Sequence, residues 1–116
     1  METIIIEGLQ IWPEDLGKMT WDEAMAEVKE LGPDWRLPTI KEFKEVLYPN
    51  RSEILEVSDK FYWSSTENVN FSSYASTFLF PYGGNVGNAN KKYTGCVCAV
   101  RDFTSGVAIE YLLKDF

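Results

Sequence analysis

Two thiols and a cluster of hydroxyls are the side chains of this sequence best suited to covalent chemistry. Cys96 and Cys98 stand one residue apart in GCVCAV, and Ser64, Ser65 and Thr66 close the run YWSST. A serine nucleophile needs a base to take its proton. The chain contains no histidine, which removes His-based triads, imidazole zinc sites and histidine general bases together. Lysine or a carboxylate would have to serve, and no Ser-x-x-Lys spacing follows Ser64 or Ser65. The expected role of these hydroxyls is to satisfy loop backbone at a strand end. The cysteines allow two readings. Adjacent thiolates could hold a soft ion such as Cu(I). Alternatively, residues two apart on a strand share a face, a bridge between them is strained, and both act as small apolar side chains in a core. The second reading is the expectation, with no metal and no cofactor.

A third candidate is Arg36, in DWRLPTIKEF at residues 34–43. Its planar donor fork could bind an anion, or it could pair with a carboxylate or strand carbonyls. Trp35 and Leu37 make the surroundings apolar and a helix start follows, so the structural role is expected for Trp35, Arg36, Leu37, Pro38, Thr39 and Glu42.

The elements that must position these groups are legible in part. Ile4, Ile5 and Ile6 open a strand, closed by Gly8 and Pro13. Thr20 and Glu23 form a capping box. Trp21, Ala24, Met25, Val28 and Leu31 then recur at helical spacing up to Gly32, a natural residue just past a helix end. Thr39 and Glu42 repeat the device, with Ile40, Phe43, Val46 and Leu47 as the apolar stripe and Pro49 as the stop. From Phe61 the texture changes to aromatic and β-branched runs, FYWSST, YASTFLF, YTGCVCAVRDF and GVAIEYLL, divided by Gly, Asn, Ser and Pro. PYGGNVGNANKK, between the second and third runs, reads as the long tip of a hairpin. Helices first and antiparallel strands after predict an α+β fold.

Charge and length narrow the function. The 116 residues carry 18 acidic against 11 basic side chains, a formal charge of −7. This balance opposes attraction to phosphate backbones and anionic lipid, so no nucleic acid and no membrane insertion are expected. No apolar run approaches the roughly 20 residues of a bilayer span, and METIIIEGLQIW lacks a basic n-region and a small-residue cleavage site. The cytoplasm is the default compartment, and a phage- or particle-borne protein would look the same. One domain, residues 1–116, is expected.

The ordered series Trp21 to Ala24, WRLPTIKEF, YWSST and CAVRDF resembles the DUF1566 family, typified by the C-terminal region of the Legionella collagen-like protein. The likeness spans about residues 8 to 101. It implies a C-type lectin-like fold, two short amphipathic helices on twisted antiparallel strands, with chain ends close together. Trp63 and Arg101 join the WRLPT residues as its structural motif. The family's relatives include formylglycine-generating sulfatase-modifying oxidases, which use two cysteines and copper. Cys96 and Cys98 lack that wider spacing. The relatives also include calcium-dependent lectins, but this chain has no Trp-Asn-Asp and no carboxylate in the loop at residues 81–92.

What remains is recognition. STENVNFSSYAS and PYGGNVGNANKKY are rich in the Asn, Ser, Gly and Tyr that make adaptable hydrogen bonds around rigid aromatic platforms. Asn68, Asn70, Tyr74, Tyr82, Asn85, Asn88, Asn90 and Tyr93 are the candidates, although Asn is also an ordinary turn residue. The expected function is a non-catalytic module binding a carbohydrate or protein. The alternatives are a divergent oxidase using Cys96 and Cys98, or a component of a phage or surface assembly, with a homo-oligomer possible.

Overall fold

The three N-terminal isoleucines turn back on themselves at once. In the computed structural model, which describes residues 4–54, 61–81 and 83–103, β1 (Ile4–Ile6) pairs antiparallel with β2 (Leu9–Ile11). Only Glu7 and Gly8 join them, both at positive φ (50° and 79°), the conformation that a two-residue hairpin turn requires. β2 is buried at all three positions.

After β3 (Lys18–Met19), α1 runs over Trp21–Lys29. Its capping box is complete, with Thr20 and Glu23 each bonding the other's backbone N–H. Trp21, Ala24 and Val28 are buried, so the predicted stripe is the buried one. The second helix also begins with its expected capping box, Thr39 with Glu42, but only Ile40–Glu42 is α-helical (α2). Phe43–Leu47 widens into a π-helical turn, with Tyr48 N–H donating to Phe43 O at 2.8 Å. The wider turn brings Leu47 and Tyr48 onto the face that carries Phe43. That face meets Phe78, whose ring stacks on Phe43 at 5.2 Å and 7°, and Phe80.

β4 (Phe61–Glu67), β5 (Tyr74–Leu79) and β6 (Asn85–Asn90) form an antiparallel meander. The expected long hairpin tip at residues 81–92 is corrected here. Six of its residues are strand, paired in unbroken register from Leu79↔Asn85 to Tyr74↔Asn90. Asn and Gly are poor strand formers by propensity, and the ladder offered by β5 overrides it. The turn itself is short and contains Gly83 and Gly84, at φ 87° and 78°.

The last described run changes partners midway. β7 (Gly95–Cys96) lies between β3, antiparallel, and β4, parallel; β8 (Val100–Asp102) pairs antiparallel with β2. The result is a three-stranded sheet β1-β2-β8 and a five-stranded sheet β3-β7-β4-β5-β6. This α+β fold therefore contains one parallel pair where only antiparallel strands were expected. Between β7 and β8 the chain alternates by pure extended geometry. Cys96, Cys98 and Val100 enter the core under α2, while Val97 and Ala99 enter the core under α1. The described chain ends, on β1 and β8, flank β2 in the same small sheet. The predicted strand GVAIEYLL lies outside the described residues.

Candidate functional site

Cys96, Cys98 and Ser64 are all withdrawn from solvent. Cys96 and Cys98 are free thiols, 2% and 3% exposed. Burial pushes the Cys98 thiol far above its ordinary range, and the nearby Asp15 and Cys96 add to the shift, so the sulfur stays protonated. Ser64 is fully buried. Its hydroxyl donates to Ser76 O at 2.6 Å and accepts from Thr66 N–H at 3.1 Å. These are the backbone duties expected of it. Among the described residues no group of three or more His, Cys, Asp or Glu side chains could hold a metal ion.

Arg36 is a clamp between elements. Nη1 and Nη2 donate to the two carboxylate oxygens of Glu42, each at 2.7 Å, and Nη2 also reaches Asp102 Oδ1 at 3.1 Å. Its backbone exchanges two 2.9 Å hydrogen bonds with Val100. One carboxylate thus caps α2 and anchors the fork that holds β8. Burial opposes ionisation of Glu42, but hydrogen bonds from Arg36 and from Thr39 N–H outweigh it and hold the carboxyl below its ordinary value. Glu42 in turn raises the Arg36 guanidinium. Trp35 and Leu37 are buried to either side. Pro38 O accepts from Ser65 N–H. Trp63 donates to Met19 O at 2.9 Å, and Arg101 donates to Gln10 Oε1 at 2.7 Å while lying over the Trp35 ring. Each of these contacts ties one element of the fold to another.

The end of the β4–β5–β6 meander is built differently. Along β5, Ala75 and Thr77 are buried on the α1 side, whereas Tyr74, Ser76 and Phe78 point to the opposite face. On that face burial fades along the strand: Phe78 is packed under the second helix, Ser76 is half-buried and Tyr74 is exposed. Beyond it, the link from β4 to β5 folds over Asn68, whose Oδ1 accepts from Asn70 N–H at 2.9 Å and Phe71 N–H at 3.1 Å. That turn places Phe71 against Tyr74, edge to face at 6.2 Å. Asn68, Phe71, Tyr74 and Asn88 line an open cleft of about 420 Å³. Phe71 is 63% exposed, Tyr74 38%, and the neighbouring Val69 96%. Solvated aromatic surface of this extent next to side-chain amides is an unusual use of a turn.

The sequence candidates therefore separate. Asn68, Tyr74 and Asn88 meet in the cleft, and Asn70 belongs to the turn that shapes it. Asn90 lines a smaller depression of about 270 Å³ with Thr20, Asp22, Ser73, Lys91 and Lys92. There the Lys91 ammonium is engaged by Glu67 at 2.6 Å and lies over the Trp21 ring. Asn85 opens β6 opposite Leu79, five residues and about 17 Å of strand from Asn90. Tyr93 is exposed between β6 and β7, away from the residues lining the cleft. Tyr82 lies outside the described residues. Phe71 and Ser76 went unread. The available signal was an isolated Phe inside a polar turn tract, NVNFSSY, where no apolar periodicity accounts for it.

Residues 7–101 match the family model of the Lcl C-terminal domain, and the chain belongs to that family. No curated protein matches the sequence.

Proposed function

We propose that this Lcl C-terminal domain is a non-catalytic binding module on a C-type lectin-like scaffold, and that the cleft at the end of the β4–β5–β6 meander takes its ligand, a carbohydrate or protein. The observation that carries this reading is the pairing of exposed Phe71 and Tyr74 rings with the Asn68 and Asn88 amides in one concave surface. Rings supply stacking area at low entropic cost and amides supply direction. Two features support the lectin-like reading: helices packed on both sides of a central meander, and the ends of the described chain gathered in one small sheet.

The test is a glycan and protein array probed with the wild-type chain and with Phe71→Ala. A ligand retained by wild type and lost by the variant supports the module. Identical profiles for both would remove the cleft from consideration. The rival oxidase reading has its own discriminator, alkylation of native protein. Under the binding reading Cys96 and Cys98 react only after denaturation; rapid reaction of the native thiols would revive the chemistry.

A second reading has one observation in its favour. Among the described residues β6 is the terminal strand of the five-stranded sheet, and NVGNAN carries no charge and no proline to discourage pairing with another strand. Assembly of copies through this edge predicts a mass that rises with concentration in analytical ultracentrifugation.

A further inference from the structure

The hydrogen bonds inside the cleft fix what it can offer a ligand, and they do so from the backbone outward. Backbone N–H groups can only donate. Because Asn70 and Phe71 both aim theirs at one atom of the Asn68 amide, that atom must be its oxygen, and its other terminus must be the NH2 group. This NH2 sits 3.1 Å from an atom of the Asn88 amide, which must therefore be an acceptor, Oδ1. The Ser76 hydroxyl donates to the same oxygen at 3.2 Å. Both amide oxygens thus carry two protein hydrogen bonds each. Asn88 Nδ2 has no protein acceptor among the described residues, and Asn88 is exposed. Toward solvent the amide pair presents N–H donors. Ser76 Oγ, beneath the cleft, has given its own proton to Asn88, and the Tyr74 hydroxyl on the wall can donate or accept.

Charge and apolar area complete the specification. No charged side chain lines the cleft, so a formally charged group would lose hydration there without a partner. The donors lie beside the exposed rings of Phe71 and Tyr74. A ligand that satisfies all of this is neutral and places a carbonyl oxygen on Asn88 Nδ2 and a small apolar group on the aromatic wall. A bare hydroxyl can accept from Asn88 Nδ2 but brings no methyl to the aromatic wall, and its proton finds no free acceptor on the amide pair itself. An acetamido group carries a carbonyl, an N–H and a methyl within a few bonds of one another. Peptides also contain secondary amides, but a peptide added as a strand would lie along the β6 main chain, whereas the donors and rings of the cleft are side chains on the sheet face.

Building on the proposed binding role, we infer that the cleft selects neutral N-acetylated sugars, with Asn88 Nδ2 donating to the acetamido carbonyl and the methyl lying on Phe71 and Tyr74. The test compares di-N-acetylchitobiose with cellobiose, which has the same linkage and hydroxyls in place of acetamido groups, by titration calorimetry on the whole chain. Wild type is expected to favour the acetamido disaccharide by about tenfold, the scale of one well-placed hydrogen bond and its contact. Asn88→Asp keeps the acceptor that Asn68 and Ser76 use and removes the outward donor. It is expected to abolish the preference while circular dichroism and the urea midpoint stay at the wild-type values. Phe71→Ala is expected to weaken both sugars. Equal affinity of wild type for the two sugars would overturn the acetamido assignment and leave the binding role standing. An N-acetylated, C-amidated alanine dipeptide binding as well as the sugar would overturn the carbohydrate assignment. Absence of binding to any of the three probes, together with array profiles unchanged by Phe71→Ala, would overturn both.

Discussion

The Arg36 junction and the Asn68 cleft use the same kinds of polar group to opposite ends. At the junction, every donor of consequence has been met: a bidentate carboxylate, a carbonyl, a second carboxylate on β8. At the cleft, the internal network satisfies the acceptors and turns donors outward. Closed networks fix a fold, and open ones hold affinity in reserve. The difference lies in where donors are left: the charged, conspicuous motif spends its donors within the fold, while the plain amides of the cleft keep some toward solvent.

Perturbing the two regions should therefore separate stability from binding, and the largest stability loss belongs to the packed side. Trp63 is fully buried and hydrogen-bonded to Met19 O. Trp63→Ala is expected to cost about 4 kcal/mol in urea unfolding, the usual scale for emptying a buried aromatic site. Next comes Gly95→Ala, since a Cβ there would run into the Phe61 ring and lie 2.9 Å from Trp63 Nε1. Overpacking of this kind costs about 2 kcal/mol.

Arg36→Ala should follow closely, at about 2 kcal/mol, because it leaves the half-buried Glu42 carboxylate without its charged partner. The pair also imposes a pH dependence. Glu42 has a lowered pKa in the folded chain, so its contribution is present above the unfolded value of 4.5 and is lost as pH falls through the folded one. Glu42→Gln should lower stability at neutral pH and flatten the decline below pH 4.5, as read from thermal melts across an acid series. A decline of unchanged slope would sever the pair from acid unfolding. The smallest stability effects are expected at the cleft. Phe71→Ala and Asn88→Asp should shift unfolding by less than about 0.5 kcal/mol, as exposed positions do. A large loss at either would make the cleft another piece of core.

Legibility in the sequence followed the range of the interactions. The two capping boxes were readable to the residue because Thr20 with Glu23, and Thr39 with Glu42, complete their bonds within one turn. The π-helical widening was not, since it answers to Phe78 and Phe80, far away along the chain. β6 was hidden for a similar reason. Its Asn and Gly residues announce a turn locally, and the ladder along β5 decides otherwise. In the cleft, Asn68, Tyr74 and Asn88 were found by composition, which could not say that Asn85 and Tyr93 stand elsewhere. Phe71 was overlooked because the Asn and Ser residues on either side of it argue for a loop.

The change of sheet between β7 and β8 has a consequence for how the chain is made. Leu9 finds its partner in Asp102, and Ile11 finds Val100, so the small sheet joins the beginning of the described chain to its end. In the same strip, residues 95–102, Gly95 and Cys96 close the large sheet by lying between β3 and β4. A ribosome delivers the first hairpin and both helices long before that strip. Until residue 102 emerges, β2 has β1 alone, and β3 and β4 have a gap where β7 belongs. Contacts this distant are slow to form, and synthesis from the N-terminus places the decisive one last. The strip that parts the two cores is thus made after every described strand it pairs with.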